Sequence, residues 1–486
     1  MRNRRRLKAA CLGRPALLLG GLFFLPFLAR HLLPLAFFHQ NGQGPLWLEL
    51  ALCRPTSDYG PGYSKLFGAL ASFGAADPEP QVVLAIGALM ATVPPAAYLI
   101  ARQVGAGPRI AGIVAAAAAV DPLSARLARS ESYYAVICPL LVLATCAALA
   151  GARSRRRGDL TLGAAAAGLL VAVSAQVHPL SWLPSALVTA PVLVAGGFGV
   201  GHLGTRRAVT RFLATTVIVG AIAAILSLPS MLAVIRGPLG ARWLSPAGES
   251  TREAGVVVPL VVALLVVASA KDRRRALVRG GAVFFSGLAY AITRSTYRGS
   301  VAIGGAHDRL YLGVAIALGA GVIAAAKWPV GLTKPRIAAL LTIPIGLWMA
   351  LRAPDWVRLP TDAQEQALVR RWRARWTGED RLVFLSRAGE RRVLLLPLYS
   401  CVEEHPRILP LSTDDLASAA VPGGSHYLHS SLCSTDEGEA ACTAFERVMA
   451  REPLEHRTLP ARASIPGLEY RGGRVEVRLS RLLHER

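Results

Sequence analysis

Apolar and charged positions alternate in blocks along the first 350 residues of the chain. Eleven apolar runs lie between Leu17 and Leu351, and almost every basic cluster falls in every second gap between them. A run of about 20 apolar residues can cross a bilayer as a helix, and charges are costly inside hydrocarbon. The pattern therefore predicts an all-α polytopic membrane domain with spans at 16–38, 81–101, 110–122, 133–151, 160–177, 180–200, 212–235, 255–270, 280–292, 310–326 and 337–351.

Two of these runs, 110–122 and 280–292, are short for a spanning helix, but the distribution of charge between the loops supports both as spans. Without the first span, the basic cluster at 153–157 would lie outside; without the second, the carboxyl-terminal tail would lie inside. Lys- and Arg-rich short loops stay on the cytoplasmic side. We keep both as spans, with re-entrant segments as the alternative. Run 16–38 is long and lacks a small-residue cleavage site, so we expect an uncleaved first helix with a cytoplasmic amino terminus.

The net charge of +24 is concentrated in the predicted cytoplasmic segments. These segments hold 23 Lys and Arg against 2 acidic residues, and they are 1–14, 102–109, 152–159, 201–211, 271–279 and 327–336. Charge placed in this way orients a membrane protein and attracts anionic headgroups. A nucleic-acid partner is therefore not expected. The low charged fraction of 17% and the mean hydropathy of +0.42 agree with an inner-membrane location.

The chain divides at about residue 351. Residues 1–351 form the predicted membrane domain, and residues 352–486 have the balanced charge of soluble protein. We expect this tail to be a small extracytoplasmic α/β domain. Its expected elements are a capping box at Thr361 and Gln364, a helix over 367–376, strands over 381–386 and 392–399, a helix over 437–451 and a strand over 474–479.

The cysteines fit an oxidising compartment. Cys53, Cys401, Cys433 and Cys442 fall in predicted outward segments, where disulfides persist. Four cysteines allow three pairings. The short spacing favours Cys433 with Cys442, which leaves Cys53 and Cys401 to tie the first outward loop to the tail. A zinc site is the alternative, although no Cys-x-x-Cys motif or nearby histidine pair supports it.

The predicted outward segments place carboxylates, arginines and tyrosines on one face of the membrane. A carboxylate near a hydroxyl can act as a general base, arginines can hold a phosphate through paired hydrogen bonds, and tyrosines suit the interface. A transferase that acts on a phosphate-linked lipid needs this combination. We expect catalytic carboxylates among Asp58, Glu49, Asp121 and Glu131, and substrate-binding side chains among Arg126, Arg129, Tyr133, Tyr134, Arg298, His307 and Arg309.

A structural interpretation exists for each of these residues. Asp58 begins a turn sequence, Asp121 stands at the end of a span, and Glu131 can pair with a nearby arginine. Arg129 can anchor at the interface, and His178, in a very short hairpin, is best explained as structural. The sequence contains no Walker A, GxSxG, HExxH or CxxC motif, so the prediction depends on the shared face.

In its architecture and in two local segments the chain resembles the GT-C glycosyltransferases, which use polyprenyl-phosphate-linked sugars and include protein O-mannosyltransferases and lipid A aminoarabinose transferases. Segment 58–67 (DYGPGYSKLF) is similar to the family's amphipathic stretch before the second span. Segment 129–135 (RSESYYA) is similar to its Glu-x-x-Arg-x-Tyr region, and segment 308–311 (DRLY) weakly resembles its later Arg-Tyr pair. The family places an acidic residue just after the first span, where this chain has His39 followed by QNGQ.

The resemblance implies a membrane glycosyltransferase that moves a sugar from a polyprenyl-phosphate carrier to a lipid, glycan or protein acceptor at the outer face. Glu49 or Asp58 would stand in for the missing carboxylate, and a divalent metal ion is left open as an assisting cofactor. Acyl transfer to an exported glycan is a related possibility. The alternatives from other classes are a non-catalytic membrane scaffold and a transporter. Few charges lie within spans and no inverted repeat is visible, which argues against a transporter.

Overall fold

The computed structural model describes residues 17–29, 61–63, 65–66, 79–129, 133–178, 181, 185, 187–197, 205–236, 280–281, 284, 286, 310–325, 333–340, 361, 364–365, 368, 371–372, 381–385, 408–418, 421, 423–461 and 470–483. Apolar helices dominate the part before residue 341, and a mixed sheet dominates the part after residue 380. The helices of the first part are α1 (Leu17–Ala29), α2 (Glu79–Ala91), α3 (Val93–Gln103), α4 (Pro108–Val120), α5 (Pro122–Leu127), α6 (Tyr133–Arg153), α7 (Arg157–Val177), α8 (Ala190–Gly197), α9 (Thr205–Arg236) and α10 (Leu312–Ala325).

Four helical segments in the described residues are long and apolar enough to cross a membrane: Gln81–Gln103, Tyr133–Arg153, Arg157–Val177 and Arg206–Val234. They correspond to four of the predicted spans, so the polytopic membrane fold is confirmed. The predicted number of eleven spans stays a prediction. Run 255–270 lies outside the described residues, and α1, α4 and α10 are shorter apolar helices.

The first of these spans is interrupted near its middle. Thr92 forms a turn between α2 and α3, and its hydroxyl donates to the carbonyl of Leu89 at 2.6 Å. Pro94 and Pro95 follow directly, and a proline has no N–H to continue the helical hydrogen bonds. Proline at the first positions of a helix is well tolerated, so the chain restarts as α3 without leaving the apolar segment.

Helix α6 lies at the centre of the membrane part. Of its 18 most apolar consecutive residues, 78% are buried, whereas the buried share of the corresponding stretch in α9 is 22%. It contacts α2, α3, α5, α7, α8, α9 and α10. Helix α9, in contrast, exposes large apolar side chains such as Val217 and Ile225. In a membrane protein such a face meets lipid, which places α9 at the periphery.

Small residues allow α6, α7 and α9 to approach closely. A Cβ added at Gly163 of α7 would lie 2.7 Å from the Cα of Gly151 in α6. A Cβ added at Gly168 would lie 2.9 Å from Cβ of Ile222 in α9. Close backbone contact of this kind is the usual basis of helix association in membranes.

The tail contains a five-stranded mixed sheet with the order β2-β1-β3-β5-β4. The strands are β1 (Leu382–Leu385), β2 (Ile408–Leu411), β3 (His426–His429), β4 (Arg451–Pro460) and β5 (Arg474–Leu482). Strand β1 is parallel to β2 and β3, whereas β5 is antiparallel to β3 and β4. Two further helices accompany the sheet, α11 (Thr413–Ser418) and α12 (Asp436–Val448).

The structure of the tail agrees with the predicted α/β class, but some of its helices and strands differ from the predicted ones. The strand expected at 381–386 and the one expected at 474–479 are present as β1 and β5. The helix expected over 437–451 ends at Val448, and β4 begins at Arg451 instead. Thr361 is helical, and its hydroxyl donates to the carbonyl of Pro460 at 2.6 Å; the capping box expected at Thr361 and Gln364 stays a prediction. The strand expected at 392–399 lies outside the described residues.

Candidate functional site

The outward-predicted connectors that the structure describes meet at one end of the helices. Gly62 lies against the end of α7, because a Cβ placed there would clash with the backbone of Gln176 and Val177. The ring of Tyr133, at the start of α6, stacks on His178, with centroids 4.2 Å apart and planes inclined by 15°. Residues 61–63 of the predicted first outward loop, the start of α6 and the end of α7 therefore form one cluster, which we call the aromatic end.

The aromatic end is built largely from buried rings. Tyr63 is 1% exposed, Tyr134 is 1% exposed and His178 is fully buried. Tyr133 and Tyr134 have ring centroids 4.2 Å apart. Tyr311, just before α10, is also buried. Rings with polar edges fit a region where apolar lipid chains meet polar groups.

Asp121 is buried and serves as the cap of a short helix. Its Oδ2 accepts hydrogen bonds from the backbone N–H of Ser124 at 2.9 Å and from the hydroxyl of Ser124 at 2.5 Å. A carboxylate in this position stabilises free N–H groups at a helix start. Asp121 therefore stabilises the start of α5, and the catalytic role expected for it stays a prediction.

Arg129 lies two residues after α5, in the connector that leads to Tyr133. It is partly buried, and this burial lowers the pKa of its guanidinium. An arginine side chain nevertheless remains a cation at any physiological pH. A partly desolvated guanidinium is suited to an anionic phosphate group.

The remaining predicted site residues are not brought into this cluster by the described part of the chain. The backbone of Arg126 belongs to α5, but its side chain is not described. Outside the described residues lie Glu49, Asp58, Glu131, Arg298, His307, Arg309, Cys53 and Cys401. Their roles stay predictions.

His178 has a neighbour in the structure that the sequence did not indicate. It was expected to be structural because it lies beside a proline in a short hairpin. The structure places its ring directly on the predicted substrate-binding Tyr133. The position of this histidine between two apolar spans is visible in the sequence. The sequence does not show which residue its ring contacts.

The opposite ends of the helices carry the basic connectors. Arg153 donates to the carbonyl of Arg102 at 3.0 Å, which ties the end of α6 to the end of α3. Arg211 donates to the carbonyl of Ala152 at 2.9 Å, and Lys334 to that of Ala324 at 2.5 Å. Cations at helix carboxyl ends are favourable. Of the segments predicted to be cytoplasmic, those at 102–109, 152–159 and 205–211 thus meet at the end of the helices opposite Tyr133 and His178.

The tail holds the disulfide between Cys433 and Cys442, the pair favoured by their spacing, with Cα atoms 5.7 Å apart. A ring nitrogen of His429 and the two sulfurs lie within 4.8 Å of one another. Sulfurs joined in a disulfide are not thiolates and so are poor metal ligands. Among the described residues this is the single group of three possible metal ligands.

A charged cluster surrounds Glu446 in the same part of the tail. Its carboxylate contacts Nδ1 of His429 at 2.5 Å, Nη2 of Arg451 at 2.7 Å and Nη2 of Arg478 at 3.3 Å. Burial by itself would raise the pKa of Glu446, but the hydrogen bond with His429 and the neighbouring cations prevail and lower it. Burial raises the pKa of Tyr427, and the nearby Glu446 raises it further.

The described apolar helices and the mixed sheet of the tail define the chain as a polytopic membrane protein. Its fold is similar to that of ArnT from Cupriavidus metallidurans in the apo state, with a TM-score of 0.51, 15% identity, and coverage of 96% of this chain and 98% of ArnT. It is also similar to ArnT bound to undecaprenyl phosphate, with a TM-score of 0.50, 12% identity, and coverage of 95% and 97%. No protein-family model and no curated protein sequence matches the chain.

Proposed function

We propose that this protein is a membrane glycosyltransferase that takes a sugar from a polyprenyl-phosphate carrier and transfers it to a lipid, glycan or protein acceptor. One observation carries the proposal: nearly the whole chain follows the fold of ArnT, and one ArnT structure is bound to undecaprenyl phosphate. The partly buried Arg129, four residues before Tyr133 in the chain, supports it, because a lipid phosphate needs a cation next to an apolar surface.

The proposed reaction is a displacement at the anomeric carbon of the donor sugar. The acceptor hydroxyl forms the new bond to this carbon, and the bond from the carbon to the phosphate oxygen breaks. The leaving group is the polyprenyl phosphate, whose charge Arg129 stabilises. The proton of the hydroxyl passes to Asp58 or Glu49, with Glu131 as a second carboxylate. Asp121 is the alternative second carboxylate, in addition to its role as the cap of α5.

The location of the reaction follows from the proposed topology. In this topology the amino terminus is cytoplasmic, residues 1–351 span the inner membrane and residues 352–486 form an extracytoplasmic domain. The aromatic end then lies at the outer leaflet, where Arg126, Arg298, His307 and Arg309 would line the entry for the donor phosphate. The second proposed disulfide, Cys53–Cys401, would hold the tail over this entry.

A binding experiment tests the proposal at its first step. The purified full chain in detergent is titrated with undecaprenyl phosphate and, as the control ligand, with undecaprenol. We expect the phosphate to be bound at least tenfold more tightly, and Arg129→Gln to lose at least this factor, about 1.4 kcal/mol. Arg109→Gln, which removes an exposed arginine at the start of α4, should bind as the unaltered chain does.

Equal binding of undecaprenyl phosphate and undecaprenol would contradict the proposal.

A second experiment, turnover of a polyprenyl-phosphate-linked sugar, distinguishes an enzyme from a non-catalytic scaffold. Asp58→Asn and Glu49→Gln should each be assayed, and at least one should abolish transfer while leaving phosphate binding intact. Tight binding with no transfer by the unaltered chain, across lipid, glycan and protein acceptors, would favour the non-catalytic alternative.

A further inference from the structure

Five exposed arginines from two connectors form a basic surface at the end of the helices opposite the aromatic end. We call it the arginine patch, and its members are Arg155, Arg156, Arg157, Arg206 and Arg207. The first three form the α6–α7 connector and the start of α7, and the last two begin α9. The contact between Arg211 Nη2 and the carbonyl of Arg156, at 3.2 Å, places the start of α9 beside that connector.

The connector beneath the patch is held by other residues. Arg211 also donates to the carbonyls of Ala152 at 2.9 Å and Gly151 at 3.3 Å, so its own guanidinium is used within the protein. The hydroxyl of Ser154 donates to the carboxylate of Asp159 at 2.5 Å. The surface that presents the five arginines is therefore ordered by contacts in which their own side chains take no part.

Among the described residues, the positive charge of the patch is not compensated by paired carboxylates. Asp159 is the acidic residue nearest in sequence, and its carboxylate is engaged by Ser154. In the part of the chain that the structure describes, no carboxylate forms an ion pair with any of the five guanidinium groups. Neighbouring like charges repel one another, so an anion that lies among them is attracted by several at once.

An apolar surface begins directly beyond the patch. Leu162 of α7 is 72% exposed, and Leu213 and Val217 of α9 are 54% and 67% exposed. At a rise of about 1.5 Å per residue, Leu162 lies about 7.5 Å along the helix from Arg157, and Leu213 about 9 Å from Arg207. A charged group at the patch would thus continue into apolar chains along α7 and α9.

We infer that the arginine patch is a binding site for an anionic lipid that carries two phosphodiester groups, a diphosphatidylglycerol. The guanidinium groups come as two sets, one on each connector, and each set can hold one phosphate through paired hydrogen bonds. A lipid with a single phosphate can engage one set at a time. The ligand is a lipid because the patch stands where two spanning helices meet the interface, above exposed apolar side chains. This inference does not depend on the proposed transferase activity.

Native mass spectrometry of the purified full chain tests the site. The chain is titrated with diphosphatidylglycerol and with phosphatidylglycerol at twice the molar amount, so that the phosphate concentrations are equal. We expect at least tenfold tighter binding of the two-phosphate lipid. The variant R155Q/R157Q/R206Q/R207Q should lose at least tenfold of this affinity, whereas R109Q/R336Q, which removes exposed arginines from two other basic connectors, should keep it.

A second variant guards against altered membrane insertion, because removal of basic residues changes the signal that orients the helices. R155K/R157K/R206K/R207K retains all four charges but cannot form the paired guanidinium contacts, and we expect it to bind diphosphatidylglycerol at least threefold more weakly. Equal affinity of the unaltered chain for the two lipids at matched phosphate would overturn the inference. Unchanged binding by the lysine variant, or an equal loss in R109Q/R336Q, would do the same.

Discussion

The ring of Tyr133 lies against the ring of His178, with centroids 4.2 Å apart and planes inclined by only 15°. Tyr133 begins α6, and His178 follows the last residue of α7. The contact therefore joins the start of α6 to the end of α7, two consecutive spans that pack closely along their length. It also links the predicted substrate-binding Tyr133 to a histidine whose neighbour could not be known from the sequence.

This stacking predicts an energetic coupling between the two rings. Tyr133→Ala should destabilise the chain by about 3–5 kcal/mol, because a buried ring is lost. Tyr133→Phe keeps the stacked ring and should cost much less. In a double-mutant cycle with His178→Ala, followed by thermal unfolding in detergent, we expect a coupling of about 0.5–1.5 kcal/mol. Tyr98→Ala combined with His178→Ala should be additive, and additivity of the Tyr133 pair as well would contradict the contact.

Two substitutions at Asp121 distinguish a cap from a catalytic base. Asparagine caps a helix about as well as aspartate, whereas alanine costs about 1 kcal/mol. If Asp121 acts by capping α5, then Asp121→Asn should keep transfer activity and Asp121→Ala should lower both activity and the melting temperature. The measurement is turnover of a lipid-linked sugar together with thermal unfolding. Loss of turnover in the asparagine variant with unchanged stability would restore Asp121 as a candidate base.

A glycine pair tests the tight contact between α6 and α7. Gly163→Ala places a Cβ 2.7 Å from the Cα of Gly151 and should destabilise the chain by about 1–3 kcal/mol through overpacking. Gly220→Ala, on α9, meets open space within 4 Å and serves as the control. Because alanine favours helix, the control should leave stability unchanged or slightly raised. A similar melting temperature for both variants would show that the two helices are less closely packed.

The disulfide predicts a measurable stability of the tail. Cys433→Ser with Cys442→Ser removes a crosslink that spans nine residues, and the loop-entropy relation gives a loss of about 2–3 kcal/mol. The check is thermal unfolding of the full chain, with tail opening followed by limited proteolysis. Cys138→Ser, at a buried free cysteine of α6, is the control for thiol removal and should leave proteolysis of the tail unchanged. Equal proteolysis in all three proteins would contradict a stabilising role.

The charged cluster at Glu446 predicts a dependence of tail stability on pH. Its pKa is lowered in the folded chain, so the ionised carboxylate stabilises the fold. This contribution is complete above the ordinary glutamate pKa of about 4.3 and is lost as pH falls through the lower folded value. Proteolysis between pH 7 and pH 3 should show the loss. Glu446→Gln should be less stable at neutral pH and lose less on acidification, whereas the exposed Glu476→Gln should follow the unaltered chain.

The long spans were predictable because the cost of exposing or burying a residue in the bilayer depends mainly on that residue and its near neighbours. The spans at 133–151 and 160–177 follow from their composition, and both appear as helices with nearly these bounds. Shorter elements of the tail were less predictable. The stretch from Arg451 was expected to end a helix and instead forms β4, because its pairing with β5 outweighs its local preference.

In the candidate site, too, the sequence indicated the residue types but not the contacts between residues distant in the chain. The sequence indicated that carboxylates, arginines and tyrosines would share one face, and it indicated Arg129 and Tyr133 as members. It could not show that the carboxylate of Asp121 caps α5, since aspartate before a proline fits several roles. It also could not show that Gly62 lies against the end of α7, which depends on how the helices pack.

The sequence alone determined that the chain crosses a membrane, and it predicts that the basic connectors lie on a common side. The physical reason is that hydration of charges and burial of apolar runs are large, local terms that add along the chain. Only the tertiary structure decided which residues meet at each end of the helices. Tyr133 reaches His178, and Arg211 reaches the carbonyl of Ala152, through the close approach of α6, α7 and α9. Contacts between residues so distant in sequence depend on the packing of whole helices.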